Sequence, residues 1–285
     1  MHDNKFGKKF KNLRKQKHIS LDMAAHDITS KSSLYYWENG KANMSFEKVI
    51  AMLERMQIRP SEFVTDSLTD NFDYKKIVSA YNGNDDSELK RLSLLYLDAS
   101  RRKPFDKTLL IRAAIACSCL NSDTRINLFS KQDTNRLIEL LSETQAWHYA
   151  DIFNFANTLY VLPGNRVYGL SKLIITQFNN KTNDYQWQHA AITALTNAAF
   201  SLLFNDFQDA KKLIAEISNL NLGNNFAYEK IRLKFIKELK RYIITKDDRI
   251  IEQVFFPALK FFELDQLRLA FEKTFDQIRK IYDYQ

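Results

Sequence analysis

Glycine and proline are scarce in this sequence, with six and four residues among 285. Because these residues mark turns and interrupt regular elements, their scarcity favours helices joined by short connections. No run of alternating apolar and polar residues indicates a β-strand, whereas helical spacing of apolar side chains recurs along the chain. The sequence therefore predicts an all-α protein.

Cysteine is also nearly absent, since Cys117 and Cys119 are the only two. Both fall in an apolar helical pattern, and residues two apart on a helix point in different directions, so we interpret them as small buried side chains. Their rarity fits a reducing compartment. No secretory signal and no apolar run of about 18 residues is present. We therefore expect a cytoplasmic protein without a membrane span.

Motifs for catalysis and metal binding are missing as well. The five histidines are scattered along the chain, at His2, His18, His26, His148 and His189. The sequence contains no His-Glu-x-x-His pattern, no phosphate-binding loop and no nucleophile elbow. We expect no enzyme activity, no metal and no cofactor.

Positive charge is present in excess and is concentrated at the start of the chain. The net charge is +8, and residues 1–18 carry seven lysines and arginines against Asp3 alone. A basic front end of this kind indicates an anionic partner, such as a nucleic acid or a membrane surface.

The first 65 residues predict five short helices. Phe6, Phe10 and Leu13 recur at i, i+4 and i+7, which is one face of a helix. Four serines stand where N-caps are expected, namely Ser20, Ser30, Ser45 and Ser61. Asn39-Gly40 has the composition of a helix C-cap.

The third of these helices begins with polar residues and ends with aromatic ones, in "ITSKSSLYYWENGK" at 28–41. Residues 21–39 have the layout of a helix-turn-helix unit, whose second helix enters the major groove with its N-terminal residues at the base edges. Leu34 and Trp37 would anchor this helix on the core. Alternatively, Ser30–Ser33 are only a cap and a solvated first turn.

From residue 88 onward, helical segments follow one another with short connections, including one at 123–128 and a long one at 145–160. Such a succession of helices with short connections is typical of stacked helical pairs. The stretch "NAAFSLLFNDFQDAKKLIAEI" (197–217) resembles a tetratricopeptide unit, with a turn at Asn205-Asp206. Residues 67–88 are polar, with one helical piece around 74–81, and are interpreted as a linker.

Two stretches resemble a known family. Residues 6–63, with "LRK" at 13–15, "WENG" at 37–40 and "SFEKVIAMLERMQI" before "EF", are similar to the XRE-type helix-turn-helix of the Rgg/MutR regulators of Gram-positive bacteria. "TNAAFSLLFNDFQDAKKLI" is similar to their C-terminal helices. The resemblance implies a DNA-binding domain at 1–66, a linker at 67–88, and a tetratricopeptide-like array at 89–285 that binds short signalling peptides and dimerises.

The resemblance also implies DNA contacts. Four residues would read bases: Lys31, Ser32, Ser33 and Tyr36. Four would hold phosphates: Arg14, Lys17, Asn39 and Lys41. Many members carry arginine where this chain has Tyr36, and tyrosine cannot grip guanine with two hydrogen bonds, so the operator is expected to differ. Of Tyr35 and Tyr36, we expect one to pack in the core and Tyr36 to be exposed.

A peptide-binding site is expected on the concave face of the array, where side-chain amides can pair with an extended backbone. The candidates are Tyr149, Asn154, Asn157, Asn197 and Arg232, the last for a peptide carboxylate. For each of them the alternative is a hydrogen bond within the helix packing or a solvated position.

Together these features predict a cytoplasmic transcription regulator of quorum-sensing type, a homodimer on double-stranded operator DNA, controlled by a short peptide. The candidate dimer surface lies around 247–283, with Phe255, Phe256, Phe261, Phe262 and Phe271, which otherwise form the core of a capping repeat. Two rival hypotheses stay open. One is a helical scaffold for a protein partner, and the other is an array that inhibits an enzyme until peptide binds.

Overall fold

The computed structural model describes residues 5–68, 72–144, 146–178, 180–181 and 184–283. The chain divides into two compact units, Met1–Phe72 and Asp73–Gln285. We call the first unit the head and the second the array. The segment predicted as a linker, 67–88, includes a helix whose Ile77 and Ala80 are buried in the core of the array.

The described part of the head contains five helices, as predicted. They are α1 (Lys5–Gln16), α2 (Leu21–Ala25), α3 (Lys31–Glu38), α4 (Phe46–Arg55) and α5 (Pro60–Leu68). Ser20 and Ser30 cap α2 and α3 through their side chains, whereas Ser45 precedes α4 without a side-chain cap bond. The last helix begins at Pro60, because proline is well accommodated in the first turn of a helix, so Ser61 lies inside the helix and not at the N-cap position expected for it.

Aromatic side chains from three helices form the centre of the head. The ring centroids of Phe10 and Trp37 are 5.2 Å apart, and those of Phe10 and Phe63 are 6.3 Å apart. Leu34 is fully buried beside them. These contacts hold α3 against α1, as its apolar spacing predicts. Gly40 then ends α3 with a φ of 75°, a left-handed conformation that glycine adopts without strain.

A buried ion pair links the same two helices. Arg14 Nε donates to Glu38 Oε1 at 2.6 Å, Nη2 donates to Oε2 at 2.7 Å, and Nη1 donates to the Ile19 carbonyl at 2.8 Å. Glu38 is 1% exposed and Arg14 is 7% exposed. Bidentate geometry with a further carbonyl acceptor satisfies most of the guanidinium, which is what a buried charge requires.

The described part of the array contains eleven α-helices with short connections. They are α6 (Phe72–Asn82), α7 (Asp86–Arg102), α8 (Lys107–Thr124), α9 (Lys131–Ser142), α10 (Tyr149–Ala156), α11 (Gly164–Phe178), α12 (Tyr185–Asn205), α13 (Phe207–Ser218), α14 (Ala227–Thr245), α15 (Phe256–Phe261) and α16 (Asp265–Tyr282). Short 3-10 segments occupy Leu159–Val161 and Asn224–Phe226, and a π-helical turn occupies Ile251–Phe255.

The stretch that resembles a tetratricopeptide unit forms the helical hairpin α12–α13. Asp206 is both the C-cap of α12 and the N-cap of α13, where its side chain accepts from the Asp209 amide at 3.1 Å. Ala198, Ala199 and Ala210 are fully buried where the helices approach. The turn predicted at Asn205-Asp206 is thus confirmed.

Two predicted helices differ from the structure. The helix expected at 123–128 is absent, because α8 runs on to Thr124 and ends at Arg125 in the left-handed conformation. The helix expected at 145–160 is only two turns long, from Tyr149 to Ala156, followed by the 3-10 segment. Gln145, at its expected start, lies outside the described residues.

The candidate dimer surface also needs correction. Phe255, Phe256 and Phe271 are buried, and Phe271 stacks on Phe235 with ring centroids 4.2 Å apart. Only two of the five phenylalanines face solvent: Phe261 is 82% exposed and Phe262 is 66% exposed. Phe255, Phe256 and Phe271 instead belong to the core of the array, which was the alternative for this segment.

Among the described helices, none combines the length and the apolar character needed to cross a bilayer. The same part of the chain holds no cluster of three or more histidine, cysteine or carboxylate side chains suited to a metal ion.

We expect Glu38→Gln to lower the free energy of unfolding of the head by about 3 kcal/mol, because it leaves the buried Arg14 without its counter-charge. Hydrogen exchange of the head's amides, measured in the full chain, reports this loss. The matched control is Glu62→Gln, which breaks the exposed pair with Arg59 and should cost less than about 1 kcal/mol. Equal effects of the two substitutions would contradict a structural role for the buried pair.

Candidate nucleic-acid interface and ligand cavity

The helix-turn-helix geometry of α2 and α3 is set by local hydrogen bonds. Asp27 takes a positive φ of 57° in the turn, and the Ile28 and Thr29 amides donate to the Ala25 carbonyl. Arg55 of α4 donates to the His26 carbonyl and braces the turn from the other side. These contacts hold α3 in a defined orientation against the rest of the head.

α3 presents one exposed face. Lys31 and Tyr35 form one row on it, and Ser32 and Tyr36 form a second row, each pair being four residues apart. Leu34, Trp37 and Glu38 are buried on the opposite side. In the helix-turn-helix docking mode such a face enters the major groove.

Two of the predicted base contacts are engaged within the head. Lys31 Nζ lies 2.6 Å from Asp22 Oδ2, in an exposed ion pair. The Ser33 hydroxyl accepts from Ser30 Oγ at 2.8 Å, so Ser33 belongs to the cap of the helix. Ser32 is exposed on the outer face.

The two tyrosines differ from expectation. Tyr36 is 47% exposed, as expected, but Tyr35 is 48% exposed as well, so the prediction that one of them packs in the core is wrong. Leu34 and Trp37 already fill the space that α1 and α4 leave, and Tyr35 lies one turn beyond Lys31 on the solvent side. It is a functional candidate that the sequence did not single out.

The predicted phosphate contacts divide into three kinds. The prediction that Arg14 contacts phosphate is wrong, because Arg14 is buried against Glu38 and its guanidinium does not reach the surface. Asn39 accepts from Lys11 Nζ at 2.8 Å and donates to the Tyr35 carbonyl at 2.7 Å, which caps α3. Lys17 and Lys41 are exposed and remain suited to phosphate.

In the array, one cavity of about 640 Å³ is lined by alternate helices of the stack. This volume falls within the range of ligand pockets, about 300–1,000 Å³. The residues that line it are Tyr74, Ile77, Val78, Tyr81 and Asn82 of α6; Ile115, Ser118, Cys119, Ser122 and Asp123 of α8; Ala156 and Asn157 at the end of α10, with Leu159 and Tyr160; Asn197, Phe200 and Phe204 of α12; Tyr228 and Arg232 of α14; and Leu267, Ala270, Phe271, Lys273, Thr274 and Gln277 of α16.

Two of the predicted peptide contacts meet in this cavity. Arg232 Nη2 donates to Asn197 Oδ1 at 2.6 Å. The guanidinium lies over the rings of Phe200 and Tyr228, at 5.6 and 5.9 Å from their centroids. Burial lowers the pKa of Arg232, although the group stays charged. The side chain is partly buried, and within the described residues no ion pair of 4.0 Å or less involves it, although Glu229 is near enough to raise its pKa.

The other charged groups of the cavity are Asp123 and Lys273. Burial raises the pKa of Asp123, and the nearby ammonium of Lys273 opposes that rise. Burial also raises the pKa of Tyr160 to about 12. The phenols of Tyr74 and Tyr81 are shifted upward for the same reason. All three therefore stay protonated at neutral pH and can donate hydrogen bonds.

The other predicted peptide contacts lie around α10. Asn157 lines the cavity and donates to the Phe153 carbonyl at 2.7 Å. Tyr149 and Asn154 do not line it, because the cavity reaches only the last turn of α10. Tyr149 is half-exposed, close enough to Tyr74 to contribute to the raised pKa of that phenol.

Several lining residues were missed from the sequence. Tyr74 lies in the segment interpreted as a linker, and Lys273 on α16 lies in the predicted dimer surface. Ser118 and Ser122, one turn apart on α8, were the available signal, since small polar residues interrupt an otherwise apolar helix. Arg232 was predicted for the corresponding reason, since it stands in an otherwise apolar pattern, whereas Asn197 was predicted because it leads the tetratricopeptide-like stretch.

Comparison with known families gives two matches. The model of the C-terminal domain of the HTH-type transcriptional regulator Rgg matches residues 90–273. A general helix-turn-helix model matches residues 10–63. No curated protein sequence matches the chain.

Solved structures share the fold at low sequence identity. The SHP pheromone receptor Rgg2 from Streptococcus dysgalactiae is 18% identical with a TM-score of 0.72, and the alignment covers 96% of this chain and 99% of that one. The PrgX/cCF10 complex is 17% identical with a TM-score of 0.66, covering 96% and 99%. A bacterial peptide pheromone/receptor complex is 15% identical with a TM-score of 0.66, covering 96% and 98%.

Proposed function

The chain belongs to the Rgg family of helix-turn-helix transcriptional regulators, and we propose that it binds operator DNA through its head under the control of a short peptide held in its array. The observation that carries this proposal is that the chain has both an exposed recognition face on α3 and a cavity lined by Arg232, a partly buried arginine with no ion pair of 4.0 Å or less among the described residues. We also propose a cytoplasmic location, where both ligands are accessible.

Support for DNA comes from the charge and exposure of the head. Lys17 and Lys41 are exposed, and Lys31 is held only by a solvent-exposed ion pair with Asp22. Exposed ion pairs of this kind are worth at most about 1 kcal/mol, so Lys31 exchanges its partner for DNA at little cost. Ser32 and Tyr36 complete the proposed base-reading set.

Support for a peptide comes from the chemistry of the cavity wall. Asn157 and Asn197 offer amides to an extended backbone, while tyrosine hydroxyls and aromatic rings suit polar and apolar side chains. Arg232 offers further N–H donors to a carboxylate. Rgg2 is a receptor for the SHP pheromone, and another solved structure of this fold is a complex of a bacterial peptide pheromone with its receptor.

We propose a homodimer because one head offers few base contacts, and two heads read half-sites about one helical turn apart. The exposed Phe261 and Phe262, which follow one another at the end of α15, are the candidate contact between two arrays. Peptide binding would favour one of two arrangements of the dimer and so change operator affinity, as linkage requires.

Binding of the DNA upstream of the chain's own gene, followed by fluorescence anisotropy at several salt concentrations, tests the role of the head. We expect the logarithm of the association constant to fall linearly with the logarithm of the salt concentration, by about 0.9 for each phosphate contacted. Lys41→Ala, which removes a phosphate contact, should reduce the magnitude of this salt slope by about one on any duplex. Lys31→Ala, which removes a base contact, should weaken the free energy of binding to the preferred duplex by about 1–3 kcal/mol. Lys280→Ala, an exposed lysine of α16, is the control and should change neither value.

A protein that shows no salt-dependent binding to any duplex would contradict the proposed role of the head. That result would favour the alternative of a helical scaffold or inhibitor that acts on a protein partner.

Peptides encoded beside the gene, made as free acids and as C-terminal amides, test the cavity. We expect the free acid to bind more tightly, because Arg232 gains a charge-assisted hydrogen bond. Arg232→Met should weaken binding of the free-acid peptide by at least about 2 kcal/mol, so that it no longer binds more tightly than the amide. The control is Arg166→Met, an exposed arginine of α11. Calorimetry gives the affinities, and equal loss in both arginine variants would contradict the assignment.

The double substitution Phe261→Glu with Phe262→Glu tests the dimer contact. We expect a monomer in sedimentation analysis, since removing an aromatic anchor from an interface typically costs 2 kcal/mol or more. DNA affinity should fall in parallel. The control is Phe105→Glu, which introduces a carboxylate at a phenylalanine that is 96% exposed elsewhere in the array. This variant should leave the dimer intact. A dimer that persists in the double variant would rule out this contact.

A further inference from the structure

The recognition face of α3 carries an aromatic pair that hydrogen-bonding roles do not explain. Tyr35 and Tyr36 are each about half exposed, with ring centroids 5.7 Å apart and planes 69° apart. Neither belongs to the apolar core of the head. The two adjacent rings lie in contact on the outer face of this short helix and offer apolar surface to a partner.

The polar groups on the same face restrict which bases α3 can read. Its exposed residues are Lys31, Ser32, Ser33, Tyr35 and Tyr36. Of the side chains that grip guanine or adenine with two hydrogen bonds, the exposed face of this described helix carries Lys31 alone, in an exposed ion pair with Asp22. The Ser33 hydroxyl belongs to the helix cap. The two tyrosine rings are therefore the apolar recognition surface that the face offers beside Lys31.

We propose that Tyr35 and Tyr36 together read the methyl groups of neighbouring thymines in the major groove, so that each operator half-site is defined by a thymine step. Thymine alone among the four bases carries a methyl group on its major-groove edge, and it is recognised by apolar contact. The edge-to-face arrangement presents two ring surfaces inclined at 69° to each other, one for each methyl. This inference rests on the proposed binding of DNA by the head, and it assigns a specificity role to Tyr35.

The two hydroxyls of the pair suggest a different role, in which tyrosine contacts phosphate and carries no sequence information. The two roles differ in what they need. A methyl contact needs the ring and survives the loss of the hydroxyl, whereas a phosphate contact is lost in Tyr→Phe and does not depend on which base is present.

The test begins with selection of binding sites from a randomised duplex library by the full chain. In the selected duplex each thymine is then replaced in turn by deoxyuridine, which keeps every hydrogen-bonding group and removes only the methyl. We expect about a fourfold loss of affinity for each methyl that is read, the value of one buried methyl-sized group. Tyr35→Ala and Tyr36→Ala should weaken binding and abolish the response to deoxyuridine. Tyr35→Phe and Tyr36→Phe should keep the response.

Tyr185→Ala removes an exposed tyrosine from the array and serves as the control, with no expected change. Indifference of the wild-type protein to deoxyuridine at every position would overturn the inference, while salt-dependent binding of the selected duplex would leave the proposed function standing. Loss of the response in the Tyr→Phe variants would also overturn it, in favour of the hydroxyls. Failure to enrich any duplex would overturn both the reading of thymine methyls and the proposed binding of operator DNA by the head.

Discussion

The burial of α12 is the constraint on which the array depends. It packs against α10, α11, α13, α14 and α16, and twelve of its 21 residues are buried. A helix enclosed to this degree cannot keep a polar group without a partner. Between residues 191 and 204 the less buried positions form a stripe at 193, 197, 200 and 204, and the last three of these line the cavity. The cavity therefore lies along the side of α12 that its neighbours leave open, and Asn197 and Arg232 satisfy each other there.

Features that depend on nearby residues were predictable from the sequence. The Ser30 cap, the Gly40 terminus and the α12–α13 hairpin are each determined within a few residues, and the structure has all three. Burial that depends on distant neighbours was not predictable. Arg14 meets Glu38 across 24 residues, so its sequence pattern was that of a surface cation. Likewise, only the closure of the stack brings Tyr74 and Lys273 to one cavity.

The proposed functional groups share a property that separates them from structural ones of the same type. The charge of Arg14 is balanced within the fold, so that side chain is fully used by the head. Arg232 is partly buried with no ion pair of 4.0 Å or less among the described residues, Lys31 has a solvent-exposed partner, and Tyr35 and Tyr36 touch each other outside the core. Each of these four side chains contributes to one of the two proposed ligand surfaces. Patterns of residue type alone do not make this distinction, because it depends on the partners present in three dimensions.

The double role of Asp206 has a mechanical consequence. Asp206 is the single residue between α12 and α13, so any change in the angle between the two helices has to occur at this residue. A methyl group added at Gly164 would come within 2.9 Å of the Asp206 side chain, so α11 limits the space in which that change can take place.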